Sequence, residues 1–355
     1  MSLETLCAHA ARPLPAARDP ERVTLAFDNA TMPVLAEKLR SDNVRVVTSA
    51  LGVLGRTATT SLQVVKAVAA GIPPVVIGLM KGSKDAGVRS GAAKALELMT
   101  AFPSAQLVVA RSAALVADLV AAARDGDPRV REALFLSLLN IASGVEGCEA
   151  LVAAGLVPSL VKIVPADADP VCAEVALASL VKLVNSFGGG GAAHALDCGA
   201  TGLCTSMLTH AGAGVREQAA SCLGSIAFSA AGKTQAIRSG APALLLGLLR
   251  DADHRVRAAA AGALMAIAND DDGKRALCDG GVPPLTACVT DASPLVRLAA
   301  MRAVASLAAL PAARERLLAA GAVEALRRAL GDAGEGDALL RGAAEIALEA
   351  VQWKP

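Results

Sequence analysis

The stretch GAPALLLGLLRDADHRVRAAAAGALMAIANDDDGKRALCDG, residues 240–280, contains the pattern that decides the fold. It opens with Gly–apolar–Pro and an apolar run, turns at Asp-Ala-Asp, and continues through Val256-Arg257 into an Ala- and Leu-rich run. The same order recurs eight times, at steps of 41, 40, 44, 44, 41, 41 and 40 residues. A period near ~42 residues indicates an α-solenoid, because each repeat buries its apolar face only against its neighbours. The eight repeats open at Ala30, Gly71, Arg111, Gly155, Gly199, Gly240, Gly281 and Gly321.

The third repeat shows how each helix is predicted. Residues 114–123 carry one apolar stripe, and an Asp-Gly-Asp-Pro turn then ends this helix, with Asp127 as the N-cap of the next. Residues 129–142 are predicted to form a longer helix, because their apolar side chains recur at i, i+3 and i+4. Residues 149–154 are predicted to form a short helix that ends at Gly155, a position suited to positive φ.

We therefore expect an all-α, right-handed α-solenoid of about eight armadillo-type (ARM/HEAT-like) repeats. Three helices per repeat and the Gly–x–Pro opening favour armadillo repeats over two-helix HEAT repeats. Residues 1–18 are predicted to be a flexible N-terminal leader, because Pro13 and Pro15 interrupt any amphipathic helix and Glu4 is atypical of a transit peptide. Residues 19–355 are predicted to form a single armadillo-repeat solenoid.

The composition argues against several classes of partner. The 34 basic and 33 acidic residues leave a net charge of +1, and aromatic residues are only 2 %, so we expect no nucleic-acid partner. The longest apolar run, residues 67–80, contains one Gly and two Pro and is shorter than the roughly 20 residues that a membrane span needs, so we expect no membrane association. None of the eight cysteines forms a Cys-x-x-Cys pair, which indicates reduced thiols in a cytoplasmic protein.

A Val–Arg pair opens most of the long helices. We interpret its arginine as a structural residue that forms a bidentate ion pair with the acidic turn of the preceding repeat. The carboxylates predicted for this role are Asp42, Asp127, Asp253 and Asp291. The pairs are Val44-Arg45, Val88-Arg89, Val130-Arg131, Val215-Arg216, Val256-Arg257 and Val296-Arg297, with Leu340-Arg341 last and Cys172-Ala173 in the fourth repeat.

Motifs that would carry chemistry are incomplete. Gly232-Lys233-Thr234 resembles the end of a P-loop, but Ala227 replaces the first glycine and the segment follows a helix. Gly188–Gly191 is predicted to be a slack loop between two helices. The best candidates for metal ligands are His194, Cys198, Cys204 and His210. Because they are expected on different helices and no catalytic motif is present, we expect no enzyme activity, metal, cofactor or small-molecule substrate.

The long helices are expected to line a concave groove. In armadillo proteins that bind extended peptides, a ladder of Asn, often with Trp one turn earlier, clamps the peptide backbone there. Counting five and nine residues from each Val–Arg arginine gives one matching Asn and no Trp. The fifth to seventh repeats have mostly small residues there, which predicts a smooth groove that a helix or coiled coil can approach closely. The candidate partner-binding residues are Asn140, Lys182, Ser221, Ser225, Gly262, Ala266, Arg302 and Ser306, with Trp353 as a C-terminal alternative.

A segment near the N-terminus is more specific than the repeat. It reads Asp-Pro-Glu-Arg-Val-Thr-Leu-Ala-Phe at residues 19–27, then Pro33-Val34-Leu35 and Leu39-Arg40-Ser41-Asp42. This order resembles the radial spoke head 14 homolog family, armadillo-type subunits of the ciliary and flagellar radial spoke. The resemblance covers residues 19–51, and the repeat pattern is compatible with it over the rest of the chain. The third repeat departs from the pattern by lacking the Gly–Pro opening, and the fourth by lacking the arginine.

The resemblance implies a non-enzymatic structural subunit of the spoke stalk or neck, located in the cytoplasm and in the axonemal cytoskeleton of the cilium or flagellum. Such spokes connect the outer doublet microtubules to the central apparatus and help regulate dynein-driven beating. The implied partners are helical or coiled-coil segments of other radial spoke proteins, within a large multi-subunit complex. The alternative is a general armadillo adaptor, such as a nuclear-import-type cargo receptor.

Overall fold

A computed structural model describes residues 31–186, 190–332 and 337–353. These residues form 23 α-helices and one 3-10 helix, and no strand occurs among them. The predicted leader, residues 1–18, and the N-terminal part of the segment 19–51 lie outside the described residues. The chain divides into two compact units, an N-terminal unit Met1–Ser159 and a C-terminal unit Leu160–Pro355.

Each complete repeat contains three helices: the first has 8 or 9 residues, the second 7 to 11 and the third 14 or 15. The first four repeats contain α1 (Thr31–Lys38), α2 (Val44–Thr57), α3 (Ser61–Ala69), α4 (Ile72–Gly82), α5 (Ala86–Thr100), α6 (Pro103–Ala110), α7 (Ala113–Ala122), α8 (Pro128–Ile141), α9 (Val145–Ala153), α10 (Leu156–Ile163) and α11 (Pro170–Val184), with the 3-10 helix at Val164–Ala166. The last four contain α12 (Gly190–Asp197), α13 (Ala200–Met207), α14 (Ala213–Ile226), α15 (Ala230–Arg238), α16 (Ala241–Leu248), α17 (His254–Ile267), α18 (Asp271–Cys278), α19 (Val282–Cys288), α20 (Pro294–Ala308), α21 (Pro311–Ala319), α22 (Ala322–Asp332) and α23 (Ala338–Gln352).

Aspartate caps the N-terminus of several long helices, as predicted for Asp127, whose carboxylate accepts a hydrogen bond from the backbone N–H of Arg129. The Arg129 side chain also donates to Asp127 and lowers the pKa of this carboxyl. The equivalent contacts of Arg255 lower the pKa of Asp253 to about 2. The caps satisfy backbone donors that the first helical turn leaves free, so each acidic turn fixes where a long helix begins.

The short helices begin earlier than predicted. Helix α9 begins at Val145 instead of residue 149, because the chain reverses within three residues of the end of α8. A Cβ atom on Gly147 would lie 1.9 Å from the carbonyl oxygen of Ile141, so only glycine fits there. The same contact recurs at Gly191, Gly232 and Gly273.

This contact corrects one interpretation of the sequence, the slack loop predicted at Gly188–Gly191, and explains the glycine at position 232. Gly190 and Gly191 belong to helix α12 and not to a slack loop, while residues 188 and 189 lie outside the described residues. Gly232 lies inside α15, where it allows the turn to pass the carbonyl oxygen of Ile226. Gly191 and Gly232 therefore serve helix packing.

A left-handed glycine separates the first and second helices of most repeats. Gly155 has φ of 77°, as the sequence predicts, and the same conformation occurs at Gly71, Gly199, Gly240 and Gly321. Because an L-residue with a Cβ is strained at this φ, glycine ends the first helix and sets the direction of the second.

The long helices form the interior of each unit. In the N-terminal unit α5 packs against α2 and α8, and in the C-terminal unit α14, α17, α20 and α23 pack in order. Their facing side chains are mainly Ala, Leu and Val, and Leu138 on α8 is completely buried. Small residues bring the backbones close, since a Cβ on Gly224 of α14 would lie 3.3 Å from the Cα of Ala263 on α17.

The Val–Arg arginines form ion pairs in the direction opposite to the one predicted. Arg257 donates two hydrogen bonds to the carboxylate of Asp291, which belongs to the following repeat, at 2.8 and 2.9 Å. Its remaining nitrogen donates to the backbone oxygens of its own turn, at Asp251 and Ala252. Asp253 is unavailable for this role because it caps α17. Equivalent bidentate pairs join Arg89 to Asp125 and Arg216 to Asp251.

The fourth repeat, which lacks the arginine, is followed by a turn that lacks the carboxylate. His210 occupies the place that Asp251 and Asp291 have in later repeats. Its Nδ1 accepts the backbone N–H of Gly212 at 3.0 Å, as the aspartates accept the corresponding N–H of Asp253 and Ser293. The imidazole therefore replaces the carboxylate in the turn, and Arg216 donates to the backbone oxygens of His210 and Ala211.

Candidate functional site

The candidate partner-binding residues are not equally accessible. On α14, Ser221 and Ser225 are half-buried on one outward stripe, and Lys182 at the end of α11 is exposed. A Cβ on Gly262 of α17 would meet nothing within 4 Å, so this position faces open space. These four residues remain available to a partner.

Ala266 is an exception, because it is completely buried. Helix α17 packs against both α14 and α20, and a position nine residues after the arginine lies at the edge of the outward stripe. The preceding residue, Met265, is partly exposed instead. The prediction that Ala266 faces the groove is therefore wrong.

Asn140 also differs from a peptide-clamping asparagine. It is half-buried, and its side-chain nitrogen donates to the hydroxyl of Thr100 on the neighbouring helix α5, at 3.4 Å. This contact joins two long helices of the N-terminal unit, so Asn140 stabilises the packing between them.

Three of the predicted residues come together at the C-terminal end of the chain. Arg302 and Ser306 on α20 line a cavity of about 420 Å³ against α23. Trp353 lines an adjoining cavity of about 440 Å³, and both cavities share Ala305 and Ile346. We call the combined feature the C-terminal groove. Its lining includes Met265, Arg302, Ala305, Ser306, Leu339, Gly342, Ile346, Glu349 and Trp353.

Large apolar side chains of α23 and of Trp353, the residue that follows it, project into this groove at a regular spacing. Leu339, Ile346 and Trp353 are 72 %, 63 % and 54 % exposed, and seven residues separate each from the next. Seven residues correspond to two helical turns, so the three side chains form one stripe along the helix. The opposite wall, α20, contributes the small residues Ala305 and Ser306. The groove is therefore apolar on one wall and sterically open on the other.

Arg314 of α21 fixes the end of this stripe. Its guanidinium carbon lies 4.6 Å from the centre of the Trp353 ring, in a cation–π contact, and it donates to the Trp353 carbonyl oxygen at 3.2 Å. A second hydrogen bond, to the Ala308 carbonyl oxygen at 2.9 Å, holds Arg314 against α20. The indole is thus oriented even though half of it is exposed.

Sequence reasoning identified Arg302, Ser306 and Trp353 but missed Leu339, Ile346 and Met265. The seven-residue spacing of Leu339, Ile346 and Trp353 is visible in the sequence. In an Ala- and Leu-rich chain, however, such a spacing predicts a buried face equally well. The missing information is which face of α23 remains uncovered.

The N-terminal unit has a smaller groove, of about 300 Å³, between α2 and α5. Glycines form much of its lining: Gly52, Gly55, Gly87 and Gly91. It contains one charged side chain, Lys94, which is already paired with Glu97. This groove could therefore accommodate a partner by shape, but it has few groups that could form hydrogen bonds or ion pairs with it.

The suggested metal ligands are distributed differently from a metal site. His194 and Cys198 are neighbours on α12, with Nε2 and Sγ 3.7 Å apart. Cys204 is buried beside Cys222, and their hydrogen bond together with burial raises the pKa of the Cys204 thiol. In the described ranges no three metal-ligating side chains converge.

No single described helix is long and apolar enough to cross a membrane. Three pairs of neighbouring helices, each bent by 69–98°, meet that test by length and composition when the two helices are joined.

Comparisons with known proteins agree with this architecture. A family model described as a HEAT-like repeat matches residues 213–267, which contain α14 to α17. An engineered protein of known crystal structure superposes with a TM-score of 0.85 at 27 % identity, over 99 % of this chain and 84 % of that one. A designed armadillo repeat protein in complex with peptide (KR)4 superposes with a TM-score of 0.60 at 26 % identity, over 66 % of this chain and 99 % of that one. A comparison with curated protein sequences gives no match.

Together with the helices described above, these similarities confirm the predicted fold class, an all-α solenoid of armadillo-type (ARM/HEAT-like) repeats. Two of its described long helices, α20 and α23, present the open surface of the C-terminal groove. The fold is thus a repeat scaffold suited to protein–protein interaction.

Proposed function

We propose that this chain is a non-enzymatic scaffold subunit of the ciliary or flagellar radial spoke, in its stalk or neck, where it binds other spoke proteins and supports the regulation of dynein-driven motility. Two observations support the proposal. The first is the segment 19–51, which resembles the radial spoke head 14 homolog family. The second, which carries the scaffold role, is the C-terminal groove, an open apolar surface on a helical repeat stack.

In the described part of the N-terminal segment, burial separates the residues that the fold needs from those that are exposed. Leu35 and Leu39 are completely buried in the first repeat, whereas Pro33 and Asp42 are exposed. The leucines therefore serve the fold that any armadillo protein needs. The exposed residues and residues 19–27 carry what is specific in the resemblance.

Location tests the proposal directly. We would express the tagged chain in ciliated cells, demembranate the cilia, and ask by immunoblot whether the chain pellets with axonemes at low salt. A designed armadillo repeat protein with the same tag is the matched control, because it shares the fold but has no reason to bind a spoke. We expect this chain in the axonemal pellet and the control in the soluble fraction. Recovery of both in the soluble fraction would contradict a spoke subunit.

The alternative, a nuclear-import-type cargo receptor, is favoured by one comparison, since a similar designed armadillo protein binds the basic peptide (KR)4. Cofractionation of this chain with soluble karyopherins would support it. Two observations oppose it. The groove wall residue Arg302 is cationic, and Asn140, in the N-terminal unit, already donates a hydrogen bond to Thr100. We therefore expect (KR)4 not to bind.

A further inference from the structure

We propose that the C-terminal groove binds an amphipathic α-helix of a partner protein, with apolar side chains every three to four residues and a carboxylate that pairs with Arg302. The proposal names the class of partner for the scaffold and rests on the proposed function only in its biological setting. The residues that line the groove determine which occupant fits its shape and its charges.

The lining of the groove determines whether the backbone of the occupant is extended or helical. An extended peptide must have its N–H and C=O groups satisfied by the protein, as an asparagine ladder does. Among the lining residues on α20 and α23, Ser306 alone has a hydroxyl, and none has an amide side chain. The middle of the groove is lined by the apolar residues Ala305, Gly342 and Ile346. A helix satisfies its own backbone groups and needs only an apolar surface. The groove therefore favours a helix over an extended chain.

The spacing of the exposed apolar side chains determines the length of the occupant. From Leu339 on α23 to Trp353, the residue that follows the helix, the chain advances 14 steps, which corresponds to about 21 Å along the helix. A helix lying beside α23 places side chains against such a stripe when its own apolar residues follow a heptad pattern. The small residues Ala305 and Ser306 on α20 leave room for those side chains. An occupant of about 15 residues, or four turns, fits this length.

Among the described residues of α23, the large exposed apolar side chains lie on the groove side. Glu345 and Gln352 lie about 100° around the helix from Ile346 and Trp353, and both are exposed polar residues. The polar stripe is what the outer face of a terminal repeat needs in water. The apolar stripe lies instead on the groove side, where a partner can cover it.

Charge determines the polar part of the occupant. Arg302 is exposed and has no ion pair or hydrogen bond to the described residues, whereas Arg314 is engaged by Trp353 and Ala308. Glu349 lies in the part of the groove that contains Trp353. A helix with a carboxylate toward Arg302 and a cation toward Glu349 therefore complements both parts, and this pairing fixes its orientation.

The chain contains its own reporter for this test. Trp353 is the only tryptophan and there is no tyrosine, so intrinsic fluorescence reports from the groove alone. The probe is a Trp- and Tyr-free helical peptide of about 21 residues, with leucines at heptad a and d positions and glutamates beside them. Its controls are the same peptide with lysines for the glutamates, and (KR)4. We expect a saturable blue shift of emission with the acidic helix and none with either basic peptide.

Two substitutions locate the binding. Ile346→Lys should weaken binding at least about tenfold, because it places a charge in the centre of the apolar stripe. Leu318→Lys is the matched control, since Leu318 is 47 % exposed on α21 but lines neither part of the groove, and it should leave binding unchanged. Arg302→Glu should reverse the preference, so that the lysine peptide binds better than the glutamate peptide. Circular dichroism of each variant confirms that the helices are intact.

Three results would overturn the proposal. One is the absence of a fluorescence shift with the acidic helix. Another is equal weakening by Ile346→Lys and Leu318→Lys. The third is a dimer in analytical ultracentrifugation that Ile346→Lys dissociates, which would assign the groove to a second copy of the chain. Because these measurements use purified protein, their failure leaves the axonemal location unaffected, and a soluble location in cells leaves the peptide result unaffected.

Discussion

Leu138 shows how a single apolar residue stabilises a repeat. It lies on the inward stripe of α8 and is completely buried. We expect Leu138→Ala to lower the free energy of unfolding by about 2–5 kcal/mol, because truncation removes buried surface and leaves a cavity in a packed interior. Leu139→Ala on the same helix is the control, since Leu139 is only half-buried and should cost less. Chemical denaturation measures both, and equal losses would contradict the assignment of the buried face.

Glycine residues in these helices have two opposite roles, which a pair of substitutions separates. Gly232→Ala should destabilise the protein by about 1–3 kcal/mol, because the new Cβ would lie 2.0 Å from the carbonyl oxygen of Ile226. Gly262→Ala should instead stabilise it by up to about 1 kcal/mol, since nothing lies within 4 Å and alanine favours the helix. Thermal denaturation should therefore give shifts of opposite sign. Shifts of the same sign would mean that the contact at Gly232 does not restrict the side chain.

At the scale of the element, the paired arginines and aspartates couple one long helix to the turn of the next repeat. Burial alone raises the pKa of Asp291, but its hydrogen bonds with Arg257 and with the Ser293 backbone outweigh burial and lower the pKa below its ordinary value of 3.8. The same balance, with Arg216, lowers the pKa of Asp251. Because the folded state favours the charged carboxylates, these pairs stabilise it above pH about 4, and the stabilisation is lost as the pH falls through the lowered pKa values.

This linkage predicts how an uncharged variant depends on pH. We expect Asp291→Asn to lower the free energy of unfolding at pH 7 by about 1–3 kcal/mol, because Arg257 loses its charged partner. The difference from the unsubstituted protein should shrink as the pH falls from about 4 through the lowered pKa of Asp291, because the carboxylate of the folded protein is then protonated as well. Asp332→Asn, at an exposed carboxylate, is the control and should have little effect at either pH. A difference that persists unchanged at pH 2 would contradict the role of the charge.

The sequence was sufficient for the helices but not for every contact between them. Periodicity and turn residues predicted the three-helix repeat, the cap at Asp127 and the left-handed turn at Gly155, because these depend on local chemistry. The start of α9 and the partner of Arg257 were predicted wrongly, because both depend on how one element passes another. Carboxylates at both ends of the turn look equivalent in sequence, and only the packing shows which one caps the helix.

The candidate site was predictable to a similar degree. Counting from the arginine placed Arg302 and Ser306 on the surface, since one helical register holds for all long helices. The same count failed at Ala266, where closer packing buries the edge of the stripe. The apolar wall at Ile346 could not be assigned, because the seven-residue spacing does not show which face of α23 the other described helices leave uncovered.

At the scale of the whole molecule, a repeat protein need not unfold in one step. A repeat stack is stabilised by its intrinsic repeat energies and by contacts between neighbours, so a repeat with contacts on one side only is less stable. Helix α23 packs against α20, α21 and α22, and its groove side bears the exposed stripe that ends at Trp353. The C-terminal repeat is therefore expected to have a lower local stability than the interior repeats.

The unique tryptophan makes this expectation measurable. In a urea titration, fluorescence of Trp353 should change at a lower midpoint than the far-UV circular dichroism signal, which reports all 23 described helices. Adding the acidic helical peptide should raise the fluorescence midpoint and bring the two transitions closer, because a ligand that binds only the folded groove stabilises that repeat first. Arg314→Ala should separate them further, since it removes the cation–π contact and the hydrogen bond that hold Trp353. Coincident transitions in all three samples would instead mean that the repeats unfold as one cooperative body and that Trp353 reports global stability.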